Sequence, residues 1–442
     1  KMSKIYRPKI QKKIIKISFS TLLLILVLIP MNSCNSDRKK RDTKKTKISD
    51  TPTVISNTKS AYSIERINFY FENSGSINGY LSGTNFLQTM HEIINDNDPR
   101  LNPFFVNTKE YSTSNLLNKI DNRNIATPSI GGSNHKFIFE NAIKNADSNN
   151  LSIVVTDGIY SMPNNNVGVN VVEVEIKKAF EKALKENAIE TIVLKLSSRY
   201  KGMYYTESDC NNVKIDQERP YYILLFGNKN TLDNALKNIV HLDELPGFKQ
   251  QARFFLKDDI NVDYTILTQG EEKIGSFKKV RKDGISLVKE IEDAEKNNRG
   301  GDKYLQFAIG INYNKLSLPN SYLLDKNNYE INNGYTIENI KAIESLSGNK
   351  TLKAVERINK NITISHLITV RAKKNITGEL EIQLKNNLPS WIENSGVEND
   401  CAIKNNTDQT FAFDKLMNGI SRAYSRVNIG DEYFEFKLKI KH

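Results

Sequence analysis

The sequence has few of the residues that build metal centres of the zinc type. Its 442 residues include five His, three Cys and one Trp, and neither C-x-x-C nor H-E-x-x-H occurs. The histidines are scattered without ligand spacing, so we interpret them as surface or packing residues. A content of 38% hydrophobic and 26% charged residues predicts a globular protein with a real core. It excludes a polytopic membrane protein and a wholly disordered chain.

The sequence also lacks an excess of positive charge outside its first sixty residues. Although the formal net charge is +12, residues 1–33 carry seven Lys and Arg without an acid, and residues 35–60 carry eight against three acids. The remainder is electrically neutral. We therefore predict no nucleic-acid partner, because a nucleic-acid surface would need a basic patch on the folded body.

Residues 1–33 have the layout of a secretory signal. A basic start precedes a 13-residue apolar run at 17–29, shorter than the ~20 residues that span a bilayer. The run leads to Ser33 and Cys34, and a Cys after a small residue in this place resembles a bacterial lipoprotein signal. The resemblance implies cleavage before Cys34 and acylation of this residue, and two acyl chains anchor a protein stably. An uncleaved signal anchor with an incidental Cys is the alternative.

The next segment, 34–60, has almost no apolar residues after Cys34. Such a segment cannot bury enough surface to fold, so we predict a flexible tether. Its basic run at 38–47 would lie against anionic lipid headgroups. A solvated linker without a further role is an equally good interpretation.

Residues 61–242 alternate apolar strands with helices. Strands are predicted at 67–71, 151–155, 191–196 and 221–226, and the clearest helical periodicity lies at 171–187. This alternation predicts an α/β unit with a mainly parallel sheet that helices cover on both faces. A site is then expected beyond the carboxyl ends of the strands.

Polar clusters occur where that edge is expected. Glu72, Ser74 and Ser76 directly follow the first strand, Ser133 follows two glycines before a helix, and Asp157 follows the strand at 151–155. Two carboxylates and three hydroxyls would meet at one end of the sheet. Hard oxygen ligands of this kind suit Mg²⁺.

These motifs, in this order, resemble the metal-ion-dependent adhesion site of von Willebrand factor type A domains. The first family motif, Asp-x-Ser-x-Ser, reads Glu72-x-Ser74-x-Ser76 here, and the Thr and Asp of the later loops correspond to Ser133 and Asp157. The resemblance covers residues 61–242 and implies a Rossmann-like fold. Two departures are plain, namely Glu72 for the family's Asp and Ser133 for its Thr.

The resemblance also implies how such a site works. Ser74, Ser76 and Ser133 would ligate Mg²⁺, or alternatively Mn²⁺ or Ca²⁺, while Glu72 and Asp157 supply charge directly or through water. A carboxylate of the partner would complete the coordination. A degenerate site is the competing interpretation, in which Ser74 and Ser76 cap the following helix and Glu72 lies near its positive end.

Two other patterns lead to further hypotheses. Ser133 and Lys136 match the S-x-x-K of serine hydrolases such as penicillin-binding proteins, but no K-T-G accompanies them. Cys210 and Cys401 could form a disulfide in an oxidising compartment. Because sequence does not show proximity, we expect two free thiols.

Residues 243–442 change character. Period-two runs at 305–311, 362–370, 379–384 and 433–440 predict a β-rich, sandwich-like domain, with one helix at 414–424 among its strands. No catalytic constellation is found there. The sequence thus predicts a lipid-anchored binding protein of the bacterial cell envelope, facing the periplasm or the exterior, and not an enzyme. A metal-free scaffold of an envelope complex and a serine hydrolase are the alternatives.

Overall fold

The structure is a computed structural model, and it describes residues 63–127, 131–161, 168–257, 262–280, 287–346, 350–359, 362–428 and 430–442. Seven strands form the first sheet: β1 Arg66–Glu72, β2 Leu101–Val106, β3 Glu110–Ser112, β4 Asn150–Thr156, β5 Glu190–Tyr204, β6 Val213–Gly227 and β7 Phe248–Phe254. Five helices alternate with them: α1 Thr84–Ile93, α2 Leu116–Asp121, α3 His135–Lys144, α4 Asn170–Glu186 and α5 Lys229–Asn238. A 3₁₀ helix, Ile77–Ser82, follows β1.

This first sheet is mixed, with the strand order β3-β2-β1-β4-β6-β5-β7. β1 pairs in parallel with β2 and β4, whereas β3, β6 and β7 run in the opposite direction. The α/β class is as predicted, but the mainly parallel sheet is not. The reason is that β5 and β6 form one long antiparallel hairpin, so that β6 returns between β4 and β5.

Helices lie on both faces of this sheet, as the sequence predicts. Consecutive side chains of a strand point to opposite faces. On β1, the Tyr70 hydroxyl accepts a hydrogen bond from Asn145 at the end of α3, whereas the Phe71 ring packs edge-on against Phe86 of α1. β1 and β4 are accordingly buried along nearly their whole length, which explains why their sequences are apolar without alternation.

The later residues form two further five-stranded sheets and a short ribbon. One sheet has the order β13-β16-β19-β10-β9, the other is β11-β12-β15-β14 with β8 paired to β12, and β17 pairs with β18. The strands are β8 Tyr264–Ile266, β9 Ser276–Lys279, β10 Glu290–Glu295, β11 Asn297–Arg299, β12 Asp302–Ile311, β13 Tyr329–Ile331, β14 Tyr335–Ala342, β15 His366–Ala372, β16 Gly378–Lys385, β17 Gly396–Val397, β18 Thr410–Phe411 and β19 Glu432–Ile440. The helices are α6 Asn320–Leu323, α7 Lys350–Ile358, α8 Ser390–Glu393 and α9 Phe413–Asn428.

The two five-stranded sheets share one hydrophobic core. Phe307 of β12 lies in the same cluster of buried side chains as Ile382 of β16 and Leu438 of β19. Most pairings in these sheets are antiparallel, and β10 with β19 is a parallel one. Alternating burial along β16 and β19 accounts for the period-two pattern of their sequences.

The predicted helix at 414–424 is present as α9, but it packs against the first sheet's helices. Gly419 lies so close to α4 that a Cβ there would be 2.8 Å from the Glu173 carbonyl oxygen. The Glu173 carboxylate accepts hydrogen bonds from Asn418 and Arg422. α9 therefore belongs to the core around the first sheet, and the described residues from 63 onward form one compact unit. A domain boundary at 242 stays a prediction.

Candidate functional site

The candidate site lies at the carboxyl edge of the first sheet. β1 and β4 are parallel neighbours, so the residues that follow them meet at the same edge. Glu72 ends β1, and Asp157 follows Thr156 at the end of β4. Both carboxylates are almost completely buried, with exposures of 0% and 1%.

Asp157 receives hydrogen bonds from both serines of the first motif. Its Oδ2 accepts from Ser76 Oγ and, at 3.5 Å, from Ser74 Oγ. The two serine oxygens are themselves 3.1 Å apart. Asp157 Oδ1 accepts from the Ile159 amide at 3.0 Å, which fixes the side chain in the loop after β4. The structure thus brings Ser74, Ser76 and Asp157 together, as the sequence predicts.

Glu72 is held by a different set of groups. Its Oε2 accepts hydrogen bonds from the Thr156 hydroxyl and, at 3.3 Å, from the Asp157 amide. His135 Nε2 lies 3.1 Å from Thr156 Oγ1 and 3.8 Å from Glu72 Oε2. Glu72 Oε1 has no hydrogen-bond partner among the described residues. Sequence reasoning missed His135 as a neighbour of the site.

Ser133 reaches the edge through the loop before α3. Its amide donates to Ser161 Oγ at 3.0 Å, and Gly131 in the same loop forms a parallel bridge with Ser74. The Ser133 side chain is 2% exposed, yet its hydroxyl makes no hydrogen bond within the described part of the chain. No hydrogen bond therefore joins it to Lys136, so the geometry does not favour the Ser-Lys hydrolase.

Burial is the largest cause of the pKa shifts at this site. Burial raises the pKa of Glu72, although the hydrogen bonds that it accepts from the Thr156 hydroxyl and the Asp157 amide oppose this effect. Burial and the nearby charge of Glu72 raise the pKa of Asp157 to about 7. Burial lowers the pKa of His135 to about 4, which keeps its imidazole neutral near pH 7. Among the described residues, no Lys or Arg forms an ion pair with either carboxylate.

A cavity of about 290 Å³ opens beside these groups. Its walls come from the loops after β1 and β4, the loop before α3 and the tip of the β5–β6 hairpin: Ser74, Gly75, Ser76, Gly131, Gly132, Ile159, Ser161, Tyr205 and Glu207. Gly75 lies so close to the hairpin that a Cβ there would be 2.8 Å from Tyr205 Cε2. The serine hydroxyls that contact Asp157 therefore line a space that a ligand can enter.

The hairpin that forms one wall is fastened to the carboxyl-terminal part of the chain. A disulfide joins Cys210 to Cys401, with 5.8 Å between their Cα atoms. The expectation of two free thiols is therefore wrong, because the fold brings together residues that are far apart in sequence. Buried Asp400 accepts hydrogen bonds at 3.0 Å from the amides of Glu207 and Ser208.

The predicted donor set fits a hard divalent cation in its chemistry. No cluster of three or more His, Cys, Asp or Glu side chains that could hold a metal occurs in the described ranges. A cation here would depend on hydroxyl oxygens together with Asp157. Within the described residues, Ser133 Oγ and Glu72 Oε1 have no hydrogen-bond partner, and the two buried carboxylates have no counter-charge. A bound cation would satisfy these groups.

Two further expectations concern the amino-terminal segment. The signal at 1–33, the acylated Cys34 and the tether lie outside the described residues. Within the residues that the structure describes, no helix is long and apolar enough to cross a membrane.

Comparison of the chain with protein-family models, with curated proteins and with solved structures gives no match.

Proposed function

We propose that the chain is a lipid-anchored binding protein of the bacterial cell envelope, and that its first sheet belongs to a von Willebrand A-like domain with a metal-dependent site. Ser74, Ser76 and Ser133 would ligate Mg²⁺ or a similar cation, and Glu72 and Asp157 would balance its charge. When bound, the cation would attract a carboxylate of the partner. Acylated Cys34 would hold the protein on the membrane.

One observation carries this proposal. Ser74, Ser76 and Asp157 converge beside a cavity, in a place where no Lys or Arg of the described residues pairs with the two buried carboxylates. Burying two carboxylates without a counter-charge destabilises a fold, and such an arrangement is typical of functional sites. The position of β6 between β4 and β5 departs from the mainly parallel sheet that the resemblance implies. It leaves the edge formed by β1 and β4 intact.

The first experiment is thermal unfolding in EDTA and then with Mg²⁺ or Mn²⁺. A ligand at 100 times its dissociation constant adds about 2.7 kcal/mol to the free energy of unfolding. We expect the midpoint to rise by several degrees, and this rise to vanish in Asp157→Ala. The matched control is Asp216→Ala, since Asp216 is an exposed carboxylate of the β5–β6 hairpin and pairs with Arg199.

Direct titration of Mn²⁺ into the metal-free chain gives a second readout. If Asp157→Ala binds the metal as tightly as the wild type does, the ligand assignment is wrong. If no metal stabilises the wild type at millimolar concentration, the metal-free scaffold becomes the better proposal. Ser76 and Thr156 would then satisfy the two carboxylates by themselves.

A further inference from the structure

A second cavity, of about 450 Å³, lies in the carboxyl-terminal part of the fold. One wall is the loop at 268–275, between β8 and β9, and the other is the nine-residue helix α7. The loop is fixed to the helix by several hydrogen bonds. Thr351 Oγ1 accepts from the Glu271 amide at 3.0 Å and donates to Glu272 Oε2 at 2.5 Å, and Arg357 donates to Gln269 Oε1 at 3.0 Å.

Backbone geometry also holds this loop in place. Gly275 has a φ of +95°, and a Cβ there would be 2.4 Å from the Glu295 carbonyl oxygen. Only glycine fits this position without displacing the neighbouring strand. Gln306 of β12 donates to the Glu272 carbonyl oxygen at 2.7 Å. The cavity is therefore built by a fixed loop on a regular helix.

Among the described residues, four cationic side chains and no acidic one line this cavity. Lys350 and Lys353 come from the first turn of α7, Arg357 from its last turn, and Lys273 from the loop. None of the four forms an ion pair within the described residues. The nearby carboxylate of Glu272 does not line the cavity, since it accepts from Thr351 and pairs with Lys341 at 3.9 Å.

Lys273 is the cation set deepest in this group. Its Nζ donates to the Thr268 carbonyl oxygen at 3.2 Å and lies 3.8 Å from the centre of the Phe277 ring. Partial burial lowers its pKa, and no anionic group opposes this effect. An anion in the cavity would supply the missing charge.

We propose that this cavity binds a small phosphate-bearing anion of the diphosphate or phosphate-ester class. The four positive charges are more than a single carboxylate would neutralise. Proteins commonly bind phosphate oxygens with an arginine guanidinium and lysine ammonium groups. The positive end of the α7 dipole adds to the attraction. The phosphate could belong to a soluble compound or to a lipid headgroup.

The test is calorimetric titration of the full chain with pyrophosphate at low and at physiological salt. We expect binding that weakens as salt increases, because the lining charges are largely exposed. Lys353→Gln should weaken binding about tenfold, since it removes a charge-assisted contact. Lys439→Gln is the matched control, because Lys439 is exposed on β19, away from the cavity, and its replacement should leave the affinity unchanged.

Two further arms identify the source of the phosphate. Vesicles of phosphatidylglycerol, compared with vesicles of phosphatidylcholine, test a lipid headgroup, and added pyrophosphate should displace the chain from them if the same cavity is used. Binding of pyrophosphate alone assigns a soluble ligand. The proposal is overturned if pyrophosphate does not bind, if succinate binds equally well, or if Lys353→Gln and Lys439→Gln have equal effects.

Discussion

The two ends of the first sheet differ in whether their carboxylates have a cationic partner. At the amino end of β5, Glu190 accepts from Arg253 Nε at 2.6 Å, and Asp233 accepts from the same guanidinium at 2.6 Å. At the carboxyl edge, Glu72 and Asp157 are buried more deeply than either of those acids, and their hydrogen-bond partners among the described residues are hydroxyls and amides. A buried charge that serves the fold alone is normally paired. The unpaired edge is therefore where a ligand is expected.

Breaking the paired end should have the largest effect on stability. Arg253→Met leaves Glu190 and Asp233 without their shared cation, and the side chain of Arg253 is only 3% exposed. Removing one partner of a buried ion pair costs about 3–5 kcal/mol. Chemical denaturation should show this loss in the free energy of unfolding. A loss below about 1 kcal/mol would mean that the amino end does not depend on pairing.

Removing the disulfide that holds the cavity wall should have the second largest effect on stability. Replacing Cys210 and Cys401 together by Ser removes the bond between the hairpin and the carboxyl-terminal part of the chain. A disulfide contributes typically 2–4 kcal/mol to stability. Denaturation of this double variant, with the reduced wild type as control, measures the contribution. An unchanged unfolding free energy would show that the hydrogen bonds of Asp400 suffice to hold the hairpin.

At the carboxyl edge, where the two carboxylates lack a cationic partner, removing one charge should not destabilise the fold. In EDTA, Asp157→Asn removes the repulsion between two buried carboxylates and keeps a side chain of the same shape. We expect the free energy of unfolding to stay the same or rise by about 1 kcal/mol, because an uncompensated buried charge is costly. Denaturation in EDTA measures it, with Asp216→Asn as the exposed control. A loss of more than about 1 kcal/mol would place Asp157 among the residues that stabilise the fold.

The smallest effect is expected at an exposed pair beside the buried one. Lys229 Nζ lies 2.6 Å from Asp233 Oδ2 on the surface of α5, with both side chains nearly half exposed. Such i,i+4 pairs contribute about 0.3–0.5 kcal/mol. Lys229→Gln should therefore change the unfolding free energy by less than about 0.5 kcal/mol. A cost close to that of Arg253→Met would show that the two cations act as one network.

Much of the first sheet and its site could be predicted from the sequence, because these features depend on residues that are close together in the chain. Apolar β1 and β4, each followed directly by polar residues, predict that Glu72 and Asp157 meet at one edge, because adjacent parallel strands end together. The alternation in β16 and β19 likewise predicts strands with one buried face. These features depend on side-chain periods and on neighbours in the chain.

What could not be predicted depends on contacts between distant residues. The pattern of α9 indicates a buried face but not its partner, and the structure packs it on α4 through Gly419. Cys210 and Cys401 are 191 residues apart, and no local signal reports that they meet. The sequence did not indicate that His135 lies beside the site, because a single histidine without ligand spacing cannot be distinguished from a packing residue.

The disulfide also divides the chain into a closed ring and two open arms. All the backbone between Cys210 and Cys401 lies within the ring, including most of the two five-stranded sheets. A protease that cuts once inside the ring opens it, yet every fragment stays covalently joined to the amino-terminal arm. If that arm carries the anchor, one such cut releases nothing from the membrane. Reduction of that bond then leaves the carboxyl-terminal fragment held only by non-covalent contacts, such as those of α9 with α4.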